Sequence, residues 1–144
     1  MATTVDVIVI GTGSAAQAVA YKVREAGQSV AVIDSRPFGG TCQLRGCDPK
    51  KVLVGASELV DWSQRMQGKG VSAPALSIKW PELIRFKRSF TDPPPHANEQ
   101  AFAQAGILTR HGRANFVDRT TVEVEGRPWS VATWSSREAR AAPR

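Results

Sequence analysis

A strand, a glycine-rich turn, a helix and a second strand follow one another in the first part of the chain, and this order constrains the fold most. Val5–Ile10 is rich in β-branched residues, as in a strand that is buried on both faces. Gly11–Ala16 then supplies a turn, Ala15–Glu25 has helical character, and Ser29–Asp34 is a second apolar run. The unit predicts parallel strands joined by a right-handed helical crossover, and therefore an α/β protein.

The turn has the spacing of a nucleotide-binding loop. It fits G-x-G-x-x-A, with Gly11, Gly13 and Ala16 at the three small positions. Small residues there permit a tight turn, let a pyrophosphate reach backbone amides, and let the helix pack closely on the strand. Asp34 ends the second strand roughly 20 residues later and suits ribose hydroxyls. The pattern predicts a dinucleotide site without separating FAD from NAD, and the alternative is a glycine turn with no ligand.

The remaining predicted elements follow from apolar spacing and from helix-breaking residues. Arg36–Arg45 contains two glycines and predicts a loop. A helix is expected from Asp48 or Pro49 to about Gln67, since Asp suits a helix N-cap and Pro suits the first turn. A proline run separates two further helices, and strands follow; the expected ranges are Trp80–Phe90, Asn98–Ala105, Ile107–Phe116 and Thr120–Glu125.

The only two cysteines of the chain, Cys42 and Cys47, lie just after this βαβ unit. Gly46 lets the chain bend between them, so their Cα atoms can reach the ~4.4–6.8 Å that a disulfide requires. Cys47 lies at a predicted helix start, where the helix dipole lowers the pKa of a thiol, and Lys50 and Lys51 add positive charge. The segment predicts a dithiol that exchanges electrons with a bound cofactor; the alternative is two buried, unreactive thiols.

Together, the loop and the segment Gly39–Lys51 resemble the redox-active disulfide region of the FAD-dependent pyridine nucleotide–disulfide oxidoreductases. This is the family of glutathione reductase, dihydrolipoamide dehydrogenase and mercuric reductase. The resemblance covers about residues 5–126 and implies a Rossmann-like FAD-binding domain, three-layered with a parallel sheet, that is incomplete. It also implies that Cys42 exchanges with a disulfide substrate, that Cys47 faces the flavin, and that Lys50 is the family lysine beside the flavin ring.

The same resemblance assigns the cofactor-binding residues. Asp34 would bind the adenosine ribose of FAD, with Ser35 beside it. The other implied FAD-binding residues come from the two motifs and are Gly11, Gly13, Ser14, Ala15, Ala16, Gly40, Thr41 and Lys51. The implied activity is the FAD-dependent, NAD(P)H-linked reduction of a disulfide or another small electron acceptor, and the full-length relatives are expected to be homodimers.

Two stretches depart from the commoner sequence motif of the family, T-C-V-N-V-G-C-V-P. Gln43–Arg45 replaces its first variable stretch, and Asp48 replaces an apolar residue. Arg45 and Asp48 therefore bracket the dithiol with opposite charges, which would tune its potential or alter the accepted substrate; alternatively, they pair with each other or face solvent. The pattern does not distinguish glutathione, trypanothione, lipoamide and mercuric ion as substrates, or NADH from NADPH.

Charge and histidine spacing restrict the expected partners. The net charge is +6, but no dense Lys/Arg run interleaves with aromatic residues, so no nucleic-acid partner is predicted. Val7–Ile10 is too short for a signal peptide or a membrane span, so we expect a cytoplasmic protein without a membrane partner. His96 and His111 lack ligand-like spacing to the cysteines, and no metal site is predicted.

The segment 127–144 differs in character from the preceding residues, and we treat it as an aberrant basic tail. It contains four Arg and one Glu and shows no periodicity. The family has a short apolar strand at this point that begins His-Val-Val-Ile. Back-translation of Ala132–Ser136 in another reading frame permits this sequence. We therefore hypothesise a frameshift near Arg127, which sequencing the locus would test; the alternative is a genuine divergent tail.

The resemblance also predicts that the chain is the N-terminal portion, residues 1–126, of a longer enzyme. It has no counterpart of the NAD(P)H-binding domain, of the second FAD segment or of the C-terminal interface domain, so we expect it not to turn over alone. The alternatives are a non-catalytic FAD- or nucleotide-binding fragment, a stand-alone NAD-binding domain, and a product that does not fold stably.

Overall fold

A computed structural model describes residues 2–72 and 76–132, which form two β-sheets and the helices that pack beside them. The strands of this part are β1 (Thr3–Val5), β2 (Val7–Ile10), β3 (Val30–Asp34), β4 (Leu108–His111), β5 (Ala114–Phe116), β6 (Thr121–Val124) and β7 (Arg127–Val131). Its helices are α1 (Ser14–Glu25), α2 (Gly40–Arg45), α3 (Cys47–Met66), α4 (Trp80–Thr91) and α5 (Pro94–Gln104).

The first sheet is parallel and has the order β2-β3-β4. β2 pairs with β3 up to Ile10 and Ile33, and β3 pairs with β4 up to Asp34 and His111. The helix α1 connects β2 to β3 and packs on both strands. The predicted βαβ unit is therefore confirmed, and the carboxyl ends of its strands lie together at one edge of the sheet.

The predicted strand Val5–Ile10 is interrupted at Asp6, which separates β1 from β2. The Asp6 N–H donates to the carbonyl oxygen (3.0 Å) and to Oγ (2.9 Å) of Ser29, and Asp6 Oδ2 accepts from the backbone N–H (2.8 Å) and hydroxyl (2.6 Å) of Ser29. At this point the chain leaves the second sheet, in which β1 pairs with β7, and enters the first. The prediction of one continuous strand was wrong because apolar patterning does not reveal a polar partner distant in sequence.

The second sheet, of order β1-β7-β6-β5, packs on one face of the parallel sheet, and α1 and α5 cover the other. Alternate residues of β3 therefore point into two cores. One core contains Ala31, Ile33, Val5, Val122, Val124 and Trp129, and the other contains Val30, Val32, Ala20, Phe38, Phe102 and Ile107. This three-layered arrangement around a parallel sheet agrees with the predicted Rossmann-like fold class.

β7 was not predicted, although it lies between β1 and β6. Its Trp129 is buried and pairs with Thr3 on one side and Val122 on the other. Pro128 is tolerated because β1 pairs only with residues 129–131, so no N–H from residue 128 is needed on that side. The first residues of the proposed tail thus belong to the sheet, while residues 133–144 lie outside the described part and the frameshift stays a hypothesis.

Helix starts differ from the predictions because glycine and proline are tolerated at helix entries. Gly40–Arg45, predicted as loop, forms α2, and the chain enters it through Gly39 and Gly40, whose φ angles are 137° and 70°. α3 begins at Cys47 rather than at Asp48 or Pro49, and α5 begins at Pro94 rather than at Asn98. The first N–H groups of a helix have no intrahelical acceptor, so proline there costs little.

The predicted strand Ile107–Phe116 is divided at Gly112 into β4 and β5, which belong to different sheets. Gly112 has a φ of 140°, and a Cβ at this position would collide with the side chain of Val124. Only glycine therefore allows the chain to cross between the two sheets here.

Candidate functional site

The glycine-rich turn lies at the carboxyl edge of the parallel sheet, between β2 and α1. Gly11 has a φ of 105°, which glycine adopts readily, and its N–H donates to the carbonyl oxygen of Ile33 (2.7 Å). The first intrahelical bond of α1 runs from Gln17 N–H to Gly13 O (2.9 Å), so the amides of residues 14–16 have no intrahelical acceptor. The first turn of α1 contains no acidic residue, and this helix end therefore favours an anion such as a phosphate.

An open groove of about 600 Å³ joins this turn to the cysteine segment. The apolar side chains of Ile10 and Val19, both about half exposed, form part of its wall. Seven of the predicted site residues line it together, namely Gly11, Gly13, Ser14, Ala15, Ala16, Thr41 and Cys42. The structure thus brings the nucleotide loop and the first cysteine into one cavity.

The loop and the cysteine segment touch through their backbones at Gly13 and Gly40. A Cβ on Gly40 would collide with Gly13 Cα and would lie 2.9 Å from Gly13 N. Gly40 also has a positive φ of 70°. Both requirements exclude a side chain at this position, and the close approach holds α2 against the start of α1.

Cys42 in α2 and Cys47 at the start of α3 form a disulfide, with Cα atoms 4.7 Å apart. Gly46 lies where the two helices meet, and a Cβ there would lie 2.9 Å from Thr41 O and 3.3 Å from Cys42 Cα. Both cysteines are exposed, so the alternative of two buried thiols does not describe this site. After reduction, the sulfur of Cys47 would lie at the positive end of a 20-residue helix.

Asp34 ends β3 and is held in place by two hydrogen bonds. Its Oδ2 accepts from the Thr12 hydroxyl (2.6 Å), and its Oδ1 accepts from the Arg36 N–H (2.9 Å). Thr12 Oγ1 in turn accepts from the Gly39 N–H (3.0 Å), and Gln17 Nε2 donates to Thr12 O (3.0 Å). Sequence reasoning missed Thr12 because it occupies a variable position of G-x-G, where the pattern assigns no role.

A second, smaller pocket of about 180 Å³ lies beside the groove and shares Ile10 and Gly11 with it. Asp34 and Ser35 line this pocket together with Ile33 and the segment 112–114. Sequence reasoning missed that segment, which follows β4 at the carboxyl edge of the sheet. Ligands of parallel α/β sheets bind at this edge, so recognising the strand break at Gly112 would have revealed it.

Four charged residues near the disulfide line neither pocket. Lys50, Lys51, Arg45 and Asp48 are all exposed. Among the described residues, no carboxylate forms an ion pair with either lysine, and Arg45 does not pair with Asp48. The functional roles of Lys50 and Lys51 stay predictions, and the two charges that bracket the dithiol face solvent.

Asn98 in α5 supports the cysteine segment from another side. Its Nδ2 donates to Gln43 Oε1 (2.9 Å) and to Phe38 O (3.3 Å). Phe38 is fully buried, and its ring stacks on the ring of His111 with centroids 4.2 Å apart. His111 Nε2 also lies 3.3 Å from Glu99 Oε1. Asn98 therefore fixes Gln43, the residue after Cys42. The sequence predicts Asn98 only as the start of a helix.

The arrangement combines three chemical capacities at one edge of the sheet. Free amides can bind a pyrophosphate, a carboxylate can accept from a ribose diol, and an exposed disulfide can take up two electrons. In the part of the chain that the structure describes, no cluster of three or more His, Cys, Asp or Glu residues could hold a metal ion. No helix of that part is both long and apolar enough to cross a membrane.

Comparison with known proteins gives a consistent set of similarities. A sequence profile of the family described as pyridine nucleotide-disulphide oxidoreductase matches residues 5–128. A glutathione reductase of Burkholderia cepacia is 32% identical over 128 residues, which cover 89% of this chain and 28% of that protein. A glutathione reductase of Nostoc sp. is 30% identical over 126 residues, which cover 88% of this chain and 28% of that protein.

A dihydrolipoyl dehydrogenase of Chlamydia trachomatis serovar D is 29% identical over 126 residues, which cover 88% of this chain and 27% of that protein. The chain therefore spans little more than a quarter of the length of these curated relatives.

Proposed function

The chain belongs to the pyridine nucleotide-disulphide oxidoreductase family, and on that premise we propose that it forms the FAD-binding and disulfide-exchange part of an NAD(P)H-linked disulfide reductase. The observation that carries this proposal is the groove in which Cys42 lies beside the nucleotide loop. A disulfide placed there can receive electrons from a cofactor that the loop holds.

The residues at the site fit FAD. The free amides of residues 14–16 suit its pyrophosphate, and the pocket at Asp34 suits its ribose. The backbone contact between Gly13 and Gly40 brings α2, and with it Cys42, beside the loop that would hold the pyrophosphate. When bound, FAD supplies the two electrons, taken from NAD(P)H, that open the Cys42–Cys47 bond.

Transfer to an acceptor disulfide then uses the sulfur atoms of the chain. The Cys42 thiolate attacks one acceptor sulfur, which forms a mixed disulfide and releases the first product thiolate. The Cys47 thiolate next attacks Cys42 Sγ, which restores the intramolecular disulfide and releases the second product thiolate. Two protons from solvent complete the two thiols, and the N-terminus of α3 stabilises the Cys47 thiolate between these steps.

The substrate class is a small disulfide or another small electron acceptor. The names of the relatives, glutathione reductase and dihydrolipoyl dehydrogenase, support a small-molecule disulfide or dithiol. Exposure of Cys42 in an open groove is compatible with such a molecule. The proposal includes a homodimeric complete enzyme and a cytoplasmic location.

A second candidate function is an FAD-binding unit that does not turn over alone. The observation that favours it is the share of the relatives, little more than a quarter of their length, that the chain matches. The two candidates agree on the cofactor and differ in whether the bound flavin reduces the disulfide of this chain.

Titration of the purified chain with FAD, followed by flavin fluorescence, tests the cofactor assignment. We expect saturable FAD binding that NAD⁺ does not displace. Displacement by NAD⁺ would favour a stand-alone NAD-binding domain, and lack of FAD binding would contradict the proposal for this chain. With FAD bound, adding a limiting amount of dithionite and counting thiols separates the candidates, because only the first predicts that electrons pass from the flavin to two new thiols, at Cys42 and Cys47.

A further inference from the structure

The hydroxyl group of Thr12 is excluded from water and lies between Asp34 and the start of α2. Thr12 is 1% exposed. Asp34 is a carboxylate and can only accept, so the 2.6 Å contact requires Thr12 Oγ1–H to donate to it. The hydroxyl oxygen then accepts from the Gly39 N–H at 3.0 Å. The result is a directed chain, N–H to O–H to carboxylate, in which each bond strengthens the other.

The two ends of this series of hydrogen bonds, Asp34 and Gly39, belong to different halves of the site. Asp34 lines the 180 Å³ pocket that we assign to the ribose. Gly39 is the N-cap of α2, the helix that contains Cys42, and it directly precedes Gly40, which touches Gly13. A single side chain thus connects the candidate ribose carboxylate to the entry of the redox helix.

We propose that Thr12 is a positioning residue that couples occupation of the ribose pocket to the conformation of α2, and this rests on the proposed assignment of Asp34 to the ribose of FAD. A ribose diol that donates to Asp34 fixes the carboxylate, which fixes the Thr12 hydroxyl and through it the Gly39 amide. Linkage makes the coupling reciprocal: the factor by which a bound ribose shifts the conformational equilibrium of α2 is also the factor by which that conformation changes the affinity of the pocket for ribose.

Hydrogen-bond energetics explain why a hydroxyl is needed at position 12. Valine has nearly the shape of threonine but would leave the buried Gly39 N–H without this acceptor and would remove the donor to Asp34 Oδ2, one of the two donors to this carboxylate. Such unpaired groups are costly where water is excluded. Serine keeps both bonds, so the pair Thr12→Val and Thr12→Ser separates the effect of the hydroxyl from that of shape.

The test uses adenosine as probe, because it carries the ribose but has no pyrophosphate or flavin that could touch Cys42 directly. Amide hydrogen exchange of the segment 38–46 is measured with and without saturating adenosine in the wild type, Thr12→Ser and Thr12→Val. 2′,3′-Dideoxyadenosine, which lacks the diol, is the ligand control. Thr121→Val is the protein control, since it removes a hydroxyl bonded to Ser130 in the second sheet, and Thr121 lines neither the groove nor the ribose pocket.

We expect adenosine, but not the dideoxy analogue, to slow exchange of this segment about fivefold in the wild type, Thr12→Ser and Thr121→Val. In Thr12→Val the ligand-free segment should exchange about tenfold faster, and adenosine should no longer slow it. If Thr12→Val does not fold, Thr12→Ala removes the hydroxyl without placing a methyl group against the Asp34 carboxylate.

The possible failures are distinguishable. Slowing by adenosine that persists in Thr12→Val overturns the coupling while leaving the proposed cofactor site intact. No adenosine binding in the wild type contradicts the ribose assignment, and with it the coupling. The ligand-free comparison then still decides whether Thr12 positions α2, because equal exchange rates in Thr12→Val and Thr12→Ser would overturn that role.

Discussion

At Gly40, backbone conformation and a neighbouring backbone both exclude a side chain, which makes the site sensitive to one added methyl group. Gly40 and Gly126 have nearly the same φ, 70° and 71°. A Cβ at Gly40 would collide with Gly13, whereas no atom of the described residues lies within 4 Å of a Cβ at Gly126. The pair therefore separates conformational strain from steric exclusion.

We expect Gly40→Ala to lower the free energy of unfolding by about 1–3 kcal/mol more than Gly126→Ala, because both carry the same strain and only the first overpacks. Affinity for FAD should fall only in Gly40→Ala, because the clash pushes α2 away from the start of α1. Urea unfolding and FAD titration measure the two effects. Equal stability and affinity in both variants would show that the Gly13–Gly40 contact is not needed.

Gly46 controls how closely the two cysteines can approach. In Gly46→Ala the new methyl group would lie 2.9 Å from Thr41 O, so α2 and α3 must separate. We expect the equilibrium with a glutathione buffer to shift toward the dithiol by about tenfold. Gly55→Ala in α3 is the control, since no atom of the described residues lies within 4 Å of a Cβ there and alanine should stabilise the helix by about 0.5–1 kcal/mol. An unchanged equilibrium in Gly46→Ala would contradict the steric account.

The surface turn between β5 and β6 should depend on pH through Asp118. The Thr120 N–H donates to Asp118 Oδ1 (2.7 Å) and lowers the pKa of this carboxyl below its ordinary value. Because the folded pKa is lowered, the turn is stabilised above the ordinary Asp pKa, and this contribution is lost as the pH falls through the lowered value. NMR titration of the Asp118 carboxyl carbon should give a midpoint below that of unfolded chain, and a midpoint at or above it would refute the bond.

At the scale of elements, β7 holds the second sheet together. Trp129 in this strand is 8% exposed, whereas Trp62 in α3 is 63% exposed. We expect Trp129→Ala to cost about 3–5 kcal/mol and Trp62→Ala less than about 0.5 kcal/mol, measured by urea unfolding. The cost of Trp129→Ala should lie near the lower bound, because the buried Trp129 Nε1 has no hydrogen-bond partner to lose among the described residues. Equal costs would place β7 outside the cooperative core.

The elements that could be predicted from sequence are those with strong local periodicity or a strict motif. The βαβ unit, α4 and the helix after the cysteines follow from apolar spacing, and the glycine loop follows from its fixed pattern. The break at Asp6 and the strand β7 depend on partners distant in the chain, Ser29 and β1, which no local pattern reveals. At the site, Thr12 and Asn98 act through hydrogen bonds to such distant groups, so their roles could be recognised only in the structure.

At the scale of the whole molecule, β3 links two cores that lie on opposite faces of the parallel sheet. Its alternate side chains contribute to both, so loss of either core exposes half of this strand. Asp34 at its carboxyl end therefore depends on both layers for its position. The candidate ribose carboxylate thus lies at the end of a strand that is packed on both faces.

The outer surface of α3 and α4 contains several exposed apolar side chains. A groove of about 360 Å³ between them is lined by Ala56, Leu59, Val60, Leu76, Ser77, Ile78, Lys79, Glu82 and Leu83. Leu59 and Trp62 are each 63% exposed on α3. Apolar side chains that are contiguous and exposed favour association, because association removes them from water.

We expect the purified chain to self-associate as its concentration rises, and the double variant Leu59→Ser/Trp62→Ser to shift the association constant at least about tenfold toward monomer. Val117→Ser is the matched control: Val117 is also 63% exposed, but it follows β5 in the second sheet. Sedimentation velocity over a range of concentrations measures the shift. If Val117→Ser reduced association as much as the double variant, exposed apolar area in general, rather than the α3–α4 surface, would drive it.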